Sequence, residues 1–250
     1  MPWVESSSPN FTARHELSDQ DDAVSVLELL EGTREQLGST FARLPPAAAI
    51  ILHGSPLQLA LAQPYLPLIR LLTDPAGRRY LAGWCASGEM HVLAPRLLEA
   101  RASQVSGSRE MVMLSPASLY AQLVVAANNH ALPPPFKPAS FSRYVRWAWL
   151  PAGAAQFFSG QTAFARAAIA RRLHEGREPS FPPGVRDAAL LGGSVFDLLA
   201  QERGEAAAAK LACTPPRGSG AREVLRAAFG RDGAHTAGAW RAHLARMAAP

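Results

Sequence analysis

Three features of the sequence predict an α+β fold. Short apolar runs bounded by Gly and Pro, of strand length, are confined to the residues before 115. From Ser115 onward the apolar residues keep a helical spacing. The two kinds of segment do not alternate through the chain as a wound βαβ sheet would require. The expected architecture is a small mixed or antiparallel sheet with helices over 1–114, followed by a mostly helical half over 115–250. The two lobes are expected to form one continuous domain.

Each element has its own warrant. Residues 10–16 read as a short strand. Ser18 and Asp21 then stand in the spacing of a capping box, opening a helix over 20–42. Its apolar stripe is Ala23, Val26, Leu27, Leu30, Leu37 and Phe41, and Leu44-Pro45-Pro46 ends it. The run AAAIILHG (47–54) is a buried strand, stopped by Gly54-Ser55-Pro56. Pro64 and Pro67 break 57–72 into two short helical segments or kink it. Residues 79–87 and 89–95 read as strands joined at Gly88, with 109–116 as a further strand candidate.

Ser115 as N-cap and Pro116 at the first helical position start a helix to about Ala127 that is apolar all round. Asn128-Asn129 and Pro133-Pro134-Pro135 end it. A second helix covers 141–158 with an interruption at Pro151. Further helices are expected over 162–175, 187–203, 205–212, 221–229 and 236–248, most of them separated by Pro- and Gly-rich breaks such as Thr214-Pro215-Pro216-Arg217-Gly218.

Hydrophobic residues at 48% and charged residues at 18% describe a chain able to bury a core. No run reaches the length of a membrane span, and the N-terminus MPWVESSSPNF lacks the basic and apolar regions of a signal peptide. A cytoplasmic protein is therefore expected, with Cys85 and Cys213 as reduced thiols. Residues 1–136 hold nine arginines against twelve carboxylates, a net −3. Residues 137–250 hold sixteen cations against eight carboxylates, a net +8. That basic half suits an acidic partner, but its arginines are not interleaved with aromatics as a nucleic-acid groove would need. Neither nucleic acid nor membrane is expected as a partner, and the oligomeric state is left open.

The search for chemistry returns mostly exclusions. No two of the seven histidines lie three or four residues apart, so no helix can present two imidazoles on one face. His15-Glu16 and His174-Glu175 lack the second histidine of H-E-x-x-H. There is no G-x-S-x-G, no phosphate-binding loop and no dinucleotide turn. Gly192-Gly193-Ser194 reads as a helix-packing contact. Asn128-Asn129-His130 reads as a helix C-cap.

One line stands apart: WAWLPAGAAQFFSG, residues 147–160. Trp149, Leu150, Gly153, Ala154 and Gly160 fall on the pattern W-L-x-E-G-x-A-x-Y-x-x-G, with Ala152 in the glutamate slot. Together with LPPAAAIILHGSP, LLGGSVFDLLAQERGEAAAAKL and the closing AFG…WR segment, it resembles the peptidase MA-like family of gluzincin zinc peptidases. In that family a buried helix carries H-E-x-x-H and the next helix supplies the third zinc ligand. Here no register across Leu119–Ala127 contains His, Asp, Glu or Cys, so the metal pair, the base and the third ligand are missing together.

The resemblance thus implies a gluzincin-like fold without zinc, without cofactor and without catalytic residues. The former site is expected to be repacked as apolar core, and the protein to act as a binding or regulatory module for an unidentified protein or peptide partner. The degenerate cleft implied is Tyr120, Gln122, Trp149, Ala152, Gln156 and Phe157. Two alternatives stand beside it: a hydrolase of another class using the same cleft, and a partner-binding protein using the basic C-terminal half.

Overall fold

The computed structural model describes residues 2–86, 88–134, 136–175, 178–216 and 220–249. Ser87, Pro135, Arg217 and Gly218, on which expected strand ends and breaks fall, lie outside the described residues. The fold is α+β. A five-stranded mixed sheet occupies the N-terminal half and helices make up the rest.

The chain opens with β1 (Trp3–Ser7), β2 (Phe11–Glu16), α1 (Gln20–Gly38) and β3 (Ala48–His53). It continues through α2 (Pro56–Ala62), α3 (Tyr65–Leu72), α4 (Pro75–Arg78), β4 (Gly83–Cys85) and β5 (Glu89–Leu93). Then come α5 (Pro95–Arg101), α6 (Ser108–Met113), α7 (Ser115–Asn128), α8 (Pro138–Trp147) and α9 (Trp149–Phe158). The last helices are α10 (Arg166–Glu175), α11 (Val185–Arg203), α12 (Glu205–Ala212), α13 (Gly220–Phe229) and α14 (Gly233–Ala248).

The strand order is β1-β2-β3-β5-β4, with the three central strands parallel and the two edges antiparallel. Because successive strand residues face opposite ways, the register Ala13–Ile50–Met90 puts one apolar set on a single face. That face packs against α1 and α7: the Phe11 ring meets Tyr120 edge-on at 4.9 Å, and the Cys85 thiol donates to the Leu119 carbonyl. The buried stripe of α1 is Ala23, Val26, Leu27, Leu30, Thr33 and Leu37.

Several expectations are corrected. Residues 108–113 form α6, not a strand. Its short apolar run fits either state, and Gly107, at φ 78°, turns the chain into the helix. The strand expected over 79–87 shrinks to Gly83–Cys85. The carbonyls of Arg79 and Leu81 accept from Arg101 and Arg70, so they are not free for a ladder. Ser18 does not cap α1; a 3-10 turn over Leu17–Asp19 intervenes, and the buried Asp19 pairs with Arg96 at 2.9 Å. α1 ends at Gly38, short of the expected 42.

Ser115 lies in the first turn of α7, its hydroxyl donating to the Val112 carbonyl, and Leu114 takes the cap position. The break in 141–158 falls at Ala148, not Pro151. Pro151 sits in the first turn of α9, where its missing N–H has no intrahelical acceptor to lose. β1, exposed on alternate residues, was not foreseen.

α9 and α11 cross with backbones in contact. A Cβ built on Gly153 would lie 2.5 Å from the Gly192 carbonyl carbon, so only glycine fits the seam. Gly192 and Gly193 are thus the packing contact expected, and Ser194 accepts from the Trp240 indole at 2.8 Å, tying α14 to α11. Arg172 of α10 and Asp187 of α11 form a buried pair at 2.7 Å.

Candidate functional site

A cavity lies between α7 and α9, beneath the end of β4. On α7, Ser115, Ser118, Leu119 and Gln122 recur at helical spacing and so line one stripe toward it. Ala152, Ala155 and Gln156 of α9 face them. Gly83 and Trp84 of β4 and Tyr144 of α8 complete the wall, and the half-buried Tyr80 and Leu81 stand at its edge. The cavity volume is about 50 Å³. The space is small, and its lining is more apolar than polar.

Part of the polar lining is already satisfied, Ser115 by its bond to the Val112 carbonyl. The Gln156 amide donates to the Ala188 carbonyl at 3.2 Å and accepts from the Gly193 N–H at 2.9 Å, bridging α9 to α11. Gln161 donates to the Met111 carbonyl at 2.7 Å. Gln122 differs: it is 7% exposed and its Nε2 has no partner. The Trp84 indole Nε1 is also buried without an acceptor. Burial pushes the Tyr144 hydroxyl far above the ordinary tyrosine range, so it stays neutral.

Of the six cleft residues named from sequence, three meet at this cavity: Gln122, Ala152 and Gln156. The other three point elsewhere. Tyr120, on the far side of α7, accepts from Arg34 at 2.8 Å and packs on Phe11. Burial raises its hydroxyl pKa, and the Arg34 bond works against that shift. Trp149 is fully buried between Trp147 and Phe196. Phe157 stacks on Phe196 and borders a separate surface hollow with Arg166. Asn128 and Asn129 serve backbone groups of other segments: Asn128 bonds Arg43, and Asn129 donates to the carbonyls of Ala212 and Thr214.

Sequence reading did not link two buried histidines. His53 and His91, 38 residues apart, meet on adjacent strands with Nε2 and Nδ1 3.0 Å apart. Burial first, and then the neighbouring His91, pushes the His53 imidazole down to about 4. His91 is also lowered by burial, with Glu89 at 3.6 Å working the other way. Only the strand register reveals the pair. Among the described residues no group of three or more His, Cys, Asp or Glu is placed to hold a metal ion. Among them too, no helix is long and apolar enough to cross a membrane.

In comparisons with known proteins, no family model, no curated protein and no solved structure matches the chain.

Proposed function

We propose that the chain is a non-catalytic member of the peptidase MA-like group, a binding or regulatory module that keeps the site's position without its chemistry. One observation supports this above the rest. Ser118 and Gln122, four residues apart on α7, face the same space as Ala152 of α9. Four residues is the spacing of the two histidines in H-E-x-x-H, Leu119 follows the first of this pair, and Ala152 stands in the glutamate slot of the resemblance. A hydroxyl, a carboxamide, an isobutyl group and a methyl supply neither a zinc coordination set nor a proton acceptor. A cytoplasmic placement belongs to the same reading, supported by Cys85 and Cys213 as free thiols.

Elemental analysis of protein expressed with added zinc, combined with a peptide-hydrolysis assay, tests the proposal. The expected result is folded protein with no stoichiometric zinc and no hydrolysis. One zinc per chain together with peptide cleavage would overturn it.

A further inference from the structure

Gln122 and Trp84 both line the cavity between α7 and α9, and each has a buried donor with no acceptor, Nε2 and Nε1. A buried donor left unmade costs far more than a typical bond contributes, so such groups are rarely idle in a native fold. The lining has no lysine, arginine, histidine, aspartate or glutamate. A charged ligand would lose its hydration there and find no counter-charge, which excludes carboxylates, phosphates and amines. What the site lacks is an acceptor, and it must come on a neutral molecule.

The Gln122 side chain also constrains the rest of that molecule. A carboxamide carries an acceptor beside its two donors, so a ligand that both accepts and donates completes it. Leu119 and Trp84 supply apolar contact around those groups. The volume of about 50 Å³ would hold about three to five waters at about 10–15 Å³ each. That is the size of a molecule of about four heavy atoms, or of the end of a larger one reaching in past Tyr80 and Ser118.

We infer that this cavity is a binding site for a small neutral carboxamide. Its carbonyl accepts from Gln122 and Trp84, and its N–H groups face the Gln122 oxygen. The inference rests on the non-catalytic reading and deepens it by naming the class of ligand.

Acetamide is the probe. The full chain, labelled with ¹⁵N, is titrated while the Gln122 side-chain amide and the Trp84 indole N–H are followed by NMR. Saturable shifts of both signals are expected in the millimolar range, with acetate and methylammonium giving none. Gln122→Met, which keeps the length and removes both polar atoms, is expected to weaken acetamide about tenfold or more. Trp84→Phe, which keeps the ring and removes the N–H, is expected to weaken it severalfold and serves if the first variant does not fold.

Shifts that never saturate, an equal response to acetate, or unchanged affinity in the folded variants would overturn the inference and leave water as the occupant. Failure of the reading beneath it looks different: zinc and hydrolysis in the wild-type protein, whatever acetamide does. Zinc-free, inactive protein that ignores acetamide sinks the ligand class alone.

Discussion

α9 meets its two neighbours in different ways. Toward α11 the backbones touch, because Gly153 and Gly192 present only hydrogens at the crossing. Toward α7 the helices also pack closely, but Ala152 and Ala155 leave a cavity of about 50 Å³ between the side chains. The seam with α11 fixes where α9 sits. Gln156 reinforces this by bonding both Ala188 and Gly193 of α11. In one cavity, then, Gln156 is spent on structure and Gln122 is left available.

The largest expected effect comes from breaking the seam. Gly153→Ala places a methyl 2.5 Å from the Gly192 backbone, where no flexible side chain can yield. The loss should be about 3 kcal/mol, read as a lower urea midpoint.

Acid tests a region away from both faces. The His53 imidazole, held at about 4 against an ordinary 6.5, is neutral in the fold and protonates more readily when unfolded. Stability is therefore full above pH 6.5 and falls as the pH drops from 6.5 toward 4, by roughly 2 kcal/mol at pH 5. His53→Asn should flatten that slope in urea titrations across the same range. A slope unchanged in the variant would reject His53 as its source.

The next pair sharpens the contrast between the two glutamines. Gln156→Met removes both side-chain bonds that tie α9 to α11 and should cost about 1–3 kcal/mol. Gln122→Met removes a group that has no partner and should leave stability within about 0.5 kcal/mol or raise it slightly. Equal losses in the two variants would mean that Gln122 is structural after all.

Much of the frame was legible because it depends on local chemistry. The stripe of α1, the division of 57–72 at its prolines, and the Gly192-Gly193 contact each follow from residue type and spacing alone. Other features depend on what the chain meets. β1 exists through its pairing with β2, and the short run of α6 could serve either as strand or helix. The His53–His91 pair is set by the register of β3 against β5.

For the cavity, sequence offered Gln122, Ala152 and Gln156 through a resemblance, but not its size or its remaining walls. Those come from β4, α8 and α11 as well as from the two helices. Tyr120 was grouped with Gln122 although two residues along a helix carry a side chain to the opposite side.

A single variant tests the proposed loss of a zinc site most directly. Ser118→His, Leu119→Glu, Gln122→His and Ala152→Glu are combined in one chain, and its zinc content is measured beside the wild-type protein under the same conditions. The account predicts about one zinc per folded variant chain and none per wild-type chain. Zinc in the wild type, or a folded variant that binds none, would contradict it.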